Sequence, residues 1–390
     1  MNLDLIQQVL RDYSLDGWLF FDHHERDPLA YRILGFRPAR HVTRRWYYLI
    51  PAQGEPRALV HRIEAGMLDA LPGSKTVYSS WQLQREGLQQ LLQGCKRVAM
   101  QYSPECAVPY VSMVDAGTVE LVRSYGAEVA TSADLVQIFE ARWSAGQLES
   151  HIEAGRRIDK VLRAAFAEIT ARVARNDAVS EYDIKGFILE SFASVGLVTD
   201  HGPIVGVNAN ASNPHYEPTA ELHAPIAKGD QVLIDLWAKL AAPDDAVYYD
   251  ITWTGYAGPQ VPSDIENVFQ VVTGARDRAI DRVQKAVAAG EPLAGFQVDD
   301  AARGYIREQG FEEYFVHRTG HSIGRDVHGS GANMDNLETH DTRRLIPHTC
   351  FSIEPGVYLP AFGIRSEVNV YVAETEAFVT GDIQRKLVII

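Results

Sequence analysis

Short apolar runs, bounded by polar and turn-forming residues, dominate the first third of the chain. They predict buried strands at residues 17–21, 46–50, 57–61 and 96–100. Apolar positions with helical spacing predict helices over residues 1–12 and 81–93. Strands that alternate with helices indicate an α/β layer architecture. No glycine-rich phosphate loop follows any of these strands, which argues against a nucleotide site in this part of the chain.

The pattern changes near Trp143. Ser144 and Gln147 have the spacing of a capping box, and a long amphipathic helix follows them. Further helices are predicted at residues 181–195, 264–289 and 298–309, and further strands at residues 232–236, 248–254, 364–372 and 387–390. A chain of 390 residues is too long for one ordinary core. We therefore expect two domains, residues 1–143 and 144–390.

Composition and charge narrow the class of protein. A hydrophobic share of 46% and a charged share of 23% are typical of soluble globular proteins. The net charge of −14 argues against nucleic acid or an anionic membrane as a partner. No apolar stretch approaches the roughly 20 residues that span a bilayer, and the first residues do not read as a signal peptide. Cys95, Cys106 and Cys350 match no metal or redox spacing and indicate free thiols, so we expect a cytoplasmic protein.

Histidines and carboxylates concentrate between residues 317 and 367, and two aspartates on apolar strands precede them. The candidates for one shared site are Asp235, Asp250, His321, Glu354 and Glu367. Each alone has an ordinary alternative, such as a strand-end surface residue, a structural histidine or an ion pair. A carboxylate buried in an apolar strand requires a cation or a dense shell of hydrogen bonds. Imidazole and carboxylate together hold Mn²⁺, Co²⁺, Fe²⁺ or Zn²⁺, so we predict a two-metal hydrolase.

The order of the motifs resembles a known family. The chain carries Asp, Asp, His-x-x-Gly-His-x-x-Gly, Ile-Glu-Pro-Gly and Ile-Arg-x-Glu, in this order, between residues 235 and 367. This order resembles the pita-bread metallopeptidases, and most of all their proline-specific branch, the prolidases and aminopeptidases P. The region before it resembles a creatinase-type amino-terminal domain in size and position. The resemblance implies a creatinase-like α/β domain followed by an α+β pita-bread catalytic domain.

The resemblance also implies a role for each ligand. Asp235 would bind one metal ion, Asp250 and Glu367 would bridge two ions, and His321 and Glu354 would complete the shell of the other. A water or hydroxide shared by the ions would be the nucleophile, and Glu354 would carry a proton to the leaving nitrogen. The implied cofactors are two divalent ions, Mn²⁺ first, with Co²⁺, Zn²⁺ and Fe²⁺ as alternatives.

Four further residues match positions that contact substrate in the family. His215, His317 and His328 would bind the substrate or the tetrahedral intermediate, and structural or surface roles are their alternatives. Arg365 would face the C-terminal carboxylate of a dipeptide, because a guanidinium fork suits a carboxylate. An ion pair with Glu367 is its alternative.

The implied function is metal-dependent hydrolysis of Xaa-Pro dipeptides by a homodimer. Aminopeptidase P, which releases the first residue of longer Xaa-Pro peptides, is the nearest alternative. A metal-free creatinase-like amidinohydrolase and a non-catalytic peptide-binding module on the same fold belong to other classes. Both of these predict that ligand positions are lost, whereas all five are present in this chain.

The chain departs from the family pattern near the two aspartates. Trp237 and Trp253 occupy positions where glycine and arginine are usual, and residues 241–245 look like an insertion. These departures leave the ligand assignment intact and leave the positioning of substrate open. In the first domain, His23 and His24 lie in a polar turn that we interpret as solvated surface, with a substrate-rim role as the alternative.

Overall fold

The structure is a computed structural model that describes residues 1–38 and 41–390. It divides into two compact units, the amino-terminal unit Met1–Glu140 and the carboxyl-terminal unit Ala141–Ile390. No helix in these described ranges is both long and apolar enough to cross a membrane.

The amino-terminal unit is a six-stranded sheet with helices. Its strands are β1 (Gly17–Asp22), β2 (Trp46–Pro51), β3 (Arg57–His61), β4 (Ser74–Tyr78), β5 (Arg97–Met100) and β6 (Glu128–Thr131). Its α-helices are α1 (Leu3–Asp12), α2 (Pro28–Leu34), α3 (Trp81–Leu91), α4 (Ala116–Ser124) and α5 (Ala133–Val136). The strand order is β4-β3-β2-β1-β5-β6, and only β2 runs antiparallel to its neighbours.

Strand β1 is a continuous apolar run because its side chains are buried on both faces of the sheet. Trp18 and Phe20 pack into one hydrophobic core, and Leu19 and Phe21 pack into a second core on the other face of the sheet. A strand covered on both faces needs apolar residues at every position. The predicted α/β architecture of this region is confirmed.

The carboxyl-terminal unit combines long helices with mainly antiparallel sheets. Its helices are α6 (Ala145–Arg175), α7 (Glu181–Ser194), α8 (Ser263–Ala289) and α9 (Gly295–Glu308). Its strands are β7 (Leu197–Val198), β8 (Ile204–Val207), β9 (Gln231–Leu240), β10 (Tyr249–Tyr256), β11 (Ser322–Ile323), β12 (Thr349–Ile353), β13 (Gly356–Leu359), β14 (Phe362–Arg365), β15 (Val368–Val372), β16 (Ala377–Val379) and β17 (Val388–Ile389). The capping box predicted at the start of α6 forms, with Ser144 Oγ accepting from Gln147 N–H at 3.2 Å.

The strands of this unit form three sheets. β9 pairs with β7, β8 and β10, and β10 also pairs with β17. A second sheet has the order β11-β12-β15-β16, and β13 and β14 form a hairpin. Helices α6 and α7 cover the first sheet, and α8 and α9 pack against the second sheet and the hairpin. The unit is therefore α+β, as the sequence predicts.

The strand predicted at residues 364–372 is divided into β14 and β15 at Ser366 and Glu367. Glu367 N–H donates to the Thr252 carbonyl oxygen at 3.1 Å. Ser366 Oγ accepts from the fully buried Arg276 at 2.6 Å. These contacts draw the backbone out of the hairpin and toward β10. The break therefore sets the position of Glu367, which a continuous strand would have placed differently.

Candidate metal centre

Five acidic and histidine side chains meet in the carboxyl-terminal unit. His321 Nε2 lies 3.6 Å from Asp250 Oδ2 and 3.3 Å from Glu354 Oε1. Donor atoms of Asp250, His321 and Glu367 all lie within 4.8 Å of one another. Asp235 is close enough for its charge to raise the pKa of Asp250, after the larger effect of burial. The structure thus brings together all five residues that the sequence predicts as ligands.

Strand pairing places both aspartates on one face of the β9–β10 ladder. Thr252 lies opposite Asp235, and Trp237 lies opposite Asp250. Directly opposed residues point to the same face of a sheet. The intervening residues of both strands point to the other face, into the core with α6 and α7. One face of the ladder therefore packs in the hydrophobic core, and the other face carries the two aspartates.

Hydrogen bonds join this ladder to the second sheet. Asn369 of β15 accepts from Asp250 N–H at 3.2 Å and donates to the Asp250 carbonyl oxygen at 2.7 Å. Thr252 Oγ1 donates to Glu367 Oε2 at 2.8 Å. Glu354 directly follows β12, and its Oε1 accepts from Ser352 Oγ at 3.0 Å. The carboxylates are therefore held by rigid elements of both sheets.

The electrostatics of the cluster fit a bound cation. Burial raises the pKa of Asp235, Asp250 and Glu367, and neighbouring carboxylates raise the pKa of Asp250 and Glu367 further. Asp235 Oδ1, Asp250 Oδ1 and Glu367 Oε1 are buried without a hydrogen-bond partner within the described residues. Such oxygens are costly unless a cation or a donor meets them. Carboxylates with one imidazole are a suitable donor set for a divalent transition metal ion.

The ring of His321 is oriented for ligation. Its Nδ1 lies 3.1 Å from the Ser322 carbonyl oxygen, which can only accept, so we assign the ring proton to Nδ1. Nε2 then carries a free lone pair beside Asp250 and Glu354. Burial lowers the pKa of His321 to about 3, so the ring is neutral near pH 7. A backbone carbonyl that fixes the tautomer is the usual support of a metal-binding histidine.

Arg365 makes a different contact from the ion pair with Glu367 that the sequence offers as an alternative. Its Nη2 forms an ion pair with Asp235 Oδ2, and its Nε donates to Thr252 Oγ1 at 3.0 Å. Its Nη1 donates to Tyr358 Oη at 3.2 Å. The guanidinium is almost completely buried and is held on three sides. That Arg365 binds the C-terminal carboxylate of a substrate stays a prediction.

Tyr358 connects Arg365 to His317, and it was not among the predicted site residues. His317 Nδ1 lies 2.7 Å from the Arg318 carbonyl oxygen, and its Nε2 lies 2.7 Å from Tyr358 Oη. The tyrosine hydroxyl therefore donates to His317 and accepts from Arg365. Burial lowers the pKa of His317 to about 4, which keeps the ring neutral. The position of Tyr358, four residues after Glu354, was the available signal in the sequence.

Comparison with known proteins identifies the family. The model of metallopeptidase family M24 matches residues 149–374, which include all five clustered residues. The chain belongs to metallopeptidase family M24.

The curated relatives of this chain include proteins that are named as Xaa-Pro peptidases. It is 31% identical over 221 residues to a Xaa-Pro dipeptidase of Lactobacillus helveticus, covering 55% of this chain and 52% of that protein. It is 29% identical over 224 residues to a putative Xaa-Pro aminopeptidase of Mycoplasma pneumoniae, covering 53% and 56%. The chain spans about half the length of the curated relatives it matches.

Solved structures resemble the M24 chain over its whole length. The prolidase of Thermococcus sibiricus superposes with a TM-score of 0.69 at 22% identity, covering 100% of this chain and 98% of that one. Dipeptidase PepE of Mycobacterium ulcerans gives a TM-score of 0.72 at 22% identity, covering 99% and 96%. The likeness concerns the fold, and the predicted creatinase-like domain followed by a pita-bread domain is confirmed.

The remaining predicted residues, His328 and His215, lie beside the five clustered residues. The His328 ring packs edge-on against His321, with centroids 4.3 Å apart, and the pKa of His328 is lowered to about 3, first by His321 and then by burial. His215 is exposed, and its charge contributes to the lowered pKa of His328. The structure thus places His215 within electrostatic range of His328, at the side of the cluster.

The segment that carries His215 is held by a residue that sequence reasoning missed. Glu181 is completely buried, and its carboxylate accepts from Val207 N–H at 2.7 Å and Ala224 N–H at 2.6 Å. It also accepts from Asn210 Nδ2 at 3.0 Å and from Tyr216 Oη at 2.6 Å. No motif marks Glu181 in the sequence, because its partners are dispersed along the chain.

The two unusual tryptophans lie in different environments. Trp253 packs against the hydrophobic core with α6 and α7, on the face of β10 opposite to Asp250. Trp237 lies on the same face as Asp250, and its Nε1 donates to Asp200 Oδ1 at 3.0 Å. Trp253 is therefore part of the packing of the fold. Of the two departures from the family pattern, Trp237 is the one that lies on the same side of the sheet as the clustered residues.

Proposed function

We propose that this chain is a dinuclear metal-dependent peptidase that hydrolyses Xaa-Pro dipeptides. The observation that carries the proposal is the buried cluster of Asp250, His321 and Glu367 with Asp235 and Glu354 beside it. Family membership and relatives named Xaa-Pro dipeptidase support the same reaction class.

The five clustered residues would hold two divalent ions, which we propose to be Mn²⁺, with Co²⁺, Zn²⁺ or Fe²⁺ as alternatives. Asp250 and Glu367 would be shared by the two ions, as the family resemblance implies, and both contribute donor atoms to the group that lies within 4.8 Å. When bound, the ions lower the pKa of water and polarise the scissile carbonyl group.

Glu354 is the proposed proton carrier. It is partly exposed, unlike Asp250 and Glu367, and one of its oxygens accepts from Ser352 while lying beside His321. A carboxylate with one accessible side can accept a proton from the attacking water and return it to the leaving imino nitrogen. His328 is neutral, so its ring can donate a hydrogen bond to substrate oxygen without adding charge. We propose that His215 also binds substrate. We propose substrate binding for His317 as well, through exchange of its Nε2 contact with Tyr358 Oη for a group of the substrate, because its Nδ1 is engaged by the Arg318 carbonyl oxygen.

Aminopeptidase P is the second candidate, and one observation favours it. A dipeptidase must recognise the C-terminal carboxylate of its substrate, and the residue predicted for this task, Arg365, is already engaged by Asp235, Thr252 and Tyr358. An aminopeptidase has no such requirement. The Mycoplasma relative named as a putative Xaa-Pro aminopeptidase is consistent with this alternative.

The decisive experiment compares hydrolysis of Ala-Pro, Ala-Pro-Ala and Ala-Ala by metal-stripped protein with and without added Mn²⁺. We expect Mn²⁺-dependent cleavage of Ala-Pro alone. Preferential cleavage of the tripeptide would establish the aminopeptidase. If none of the three is cleaved with Mn²⁺, or with Co²⁺, Zn²⁺ or Fe²⁺ in its place, both functions are contradicted. Elemental analysis of protein purified without chelator separates both from a metal-free or peptide-binding function.

We further propose a cytoplasmic homodimer. All three cysteines, Cys95, Cys106 and Cys350, are free in the structure, which is consistent with a reducing compartment. The dimer rests on the family resemblance, and light scattering coupled to size-exclusion chromatography tests it.

A further inference from the structure

A cavity of about 500 Å³ lies at one edge of the sheet in the amino-terminal unit, and the proposed peptidase reaction does not use it. It lies at the carboxyl ends of β1, β3 and β4, which contribute Phe21, His61 and Tyr78. These three strands run in the same direction, because β2 is antiparallel to both β1 and β3 and β4 is parallel to β3. In open α/β sheets, ligands bind outside the carboxyl ends of such strands. The volume lies within the range of small-molecule sites.

Three arginines, Arg26, Arg44 and Arg45, line this cavity. Carboxylates lie beside the backbone of two of them, since Asp22 accepts from Arg26 N–H at 2.7 Å and Glu64 accepts from Arg44 N–H at 3.2 Å. The Arg26 side chain forms no hydrogen bond or ion pair with any residue of 1–38 or 41–390, and the Arg45 side chain is hydrogen-bonded to the phenol of Tyr78 but paired with no carboxylate of these residues. The Arg26 guanidinium and the remaining N–H groups of Arg45 are thus available to a ligand.

The lining itself carries more positive than negative charge, although Asp22 and Glu64 adjoin it and act on His23 and Tyr78. Asp115 is the one acidic residue among the described lining residues, and it is the N-cap of α4. Its carboxylate accepts from Thr118 N–H at 2.9 Å and from Thr118 Oγ1 at 2.8 Å. The pKa of His23, which also lines the cavity, is lowered first by burial and then by the neighbouring histidine and arginine charges. The cavity is therefore suited to a negatively charged ligand.

Polar and aromatic side chains extend the cavity beyond its charged part. Ser79, Ser80 and Trp81 line it where the 11-residue helix α3 begins, and the amino-terminal end of a helix favours an anion. Trp81 is 65% exposed, and the Arg85 guanidinium lies over one face of its ring, 6.0 Å from the centroid, which leaves the other face of the indole to cover a ring. Phe21 and Tyr78 add further aromatic surface to the lining.

We propose that this cavity binds a small organic anion that carries a carboxylate or phosphate group on a planar ring. Arg26 and Arg45 bind the charged group, because planar guanidinium forks suit both kinds of anion. Trp81 packs on the ring. This side-chain site does not require the glycine-rich loop that the sequence lacks, and it is independent of the proposed peptidase activity.

Titration calorimetry on the full chain tests the proposal with phenyl phosphate and benzoate as probes, and with inorganic phosphate and phenol for comparison. We expect saturable binding of at least one aromatic anion, weaker binding of inorganic phosphate and no binding of neutral phenol. Binding of phenyl phosphate alone identifies a phosphate ligand, and binding of benzoate alone identifies a carboxylate ligand. Absence of saturable binding by both aromatic anions overturns the proposal.

Variants assign the binding to this cavity. The double variant R26Q/R45Q is expected to weaken binding by about ten-fold or more, because it removes charge-assisted hydrogen bonds. R62Q is the matched control, since Arg62 is an exposed arginine next to His61 that does not line the cavity. Trp81→Ala is expected to weaken binding of the aromatic anions and to spare inorganic phosphate. Wild-type affinity in the double variant overturns the proposal, and the single variants R26Q and R45Q carry the test if the double variant does not fold.

Discussion

Arg365 forms a buried ion pair with Asp235, so a cation of the protein itself holds one of the predicted metal ligands. Asp235 Oδ2 faces the guanidinium, while Asp235 Oδ1 is buried without a hydrogen-bond partner within the described residues. One oxygen is therefore already compensated, and the other is available to the proposed metal ion. The arrangement assigns Arg365 a part in holding the cluster together in addition to any contact with substrate.

Replacing Arg365 with Ala is expected to destabilise the metal-free protein strongly. Removing one partner of a buried ion pair typically costs about 3–5 kcal/mol, because the other charge remains buried and unpaired. Bound Mn²⁺ would compensate Asp235, so the loss should be smaller in the metal-loaded protein. Urea unfolding with and without Mn²⁺ measures both. An equal loss under the two conditions would mean that Asp235 does not bind metal.

The same variant tests substrate recognition. If Arg365 also reads a C-terminal carboxylate, R365A should raise KM for Ala-Pro far more than for Ala-Pro-Ala. Steady-state kinetics at saturating Mn²⁺ measures the two values. Equal changes for both substrates would leave the arginine with a positioning role only.

Replacing Asp250 with Asn is expected to abolish metal loading and activity while stabilising the metal-free protein. The charge of Asp250 is buried among like charges, and its removal relieves about 1–3 kcal/mol of uncompensated burial. Elemental analysis, peptide hydrolysis and urea unfolding test the three parts. D244N, which changes an exposed carboxylate in the 241–245 segment, is the matched control and should change none of them. A D250N protein with full activity would rule out the two-metal assignment.

The five clustered residues could be predicted from the sequence because their chemistry contradicts their surroundings. Asp235 and Asp250 interrupt apolar strands, and Glu354 precedes Pro355 and Gly356, where an unpaired carboxylate has no local explanation. Strand alternation then converts this pattern into a shared face of the β9–β10 ladder. Local sequence and tertiary structure agree at these positions.

Other parts of the site could not be predicted because they depend on long-range contacts. The partners of Glu181 lie 26 to 43 residues away along the chain, and Arg365 meets an aspartate 130 residues before it. The break between β14 and β15 depends on contacts with Thr252 and Arg276, which no local pattern indicates.

The position of Trp253, by contrast, could be predicted from the sequence. Side chains alternate along β10, and Trp253 and Asp250 are an odd number of positions apart, so they lie on opposite faces of the strand.

The two tryptophans should therefore respond differently to substitution by Phe. Trp253→Phe is expected to reduce the free energy of unfolding by about 1–2 kcal/mol through altered packing, with little change in kcat/KM. Trp237→Phe removes the hydrogen bond to Asp200 and should change kcat/KM several-fold, with metal content unchanged. Kinetics with Ala-Pro and elemental analysis of both variants provide the comparison. The reverse pattern would place Trp253 at the site.

Replacing Glu181 with Gln is expected to destabilise the protein and to impair catalysis. Every hydrogen-bond partner of this carboxylate within the described residues is a donor, and each oxygen accepts from a backbone N–H, so the NH₂ group of a glutamine would face an N–H in either orientation. The cost should be about 1–3 kcal/mol, and kcat/KM should fall because the segment carrying His215 loses its anchor. E190Q, at an exposed carboxylate of the same helix, serves as the control. Loss of stability with kcat/KM unchanged would restrict Glu181 to a role in folding.

His151 is expected to make stability depend on pH. It is completely buried, with Nδ1 2.6 Å from the Tyr248 carbonyl oxygen and Nε2 2.7 Å from Thr380 Oγ1. Nδ1 donates to this carbonyl oxygen, and in the neutral ring Nε2 accepts from the Thr380 hydroxyl. Burial lowers the pKa of His151 from 6.5 to about 4, so between these values the unfolded chain binds a proton that the folded protein does not.

The stability that depends on the neutral ring is complete above pH 6.5 and is lost as the pH falls toward about 4. The loss amounts to about 3 kcal/mol, because each unit of pKa shift corresponds to about 1.4 kcal/mol. Unfolding free energies of the wild type and of H151Q, measured from pH 7 to pH 4, isolate this contribution from that of the carboxylate cluster. Glutamine can donate to Tyr248 and accept from Thr380 without titrating, so H151Q should lose less stability over this interval. Parallel curves for the two proteins would show that His151 does not titrate with a lowered pKa.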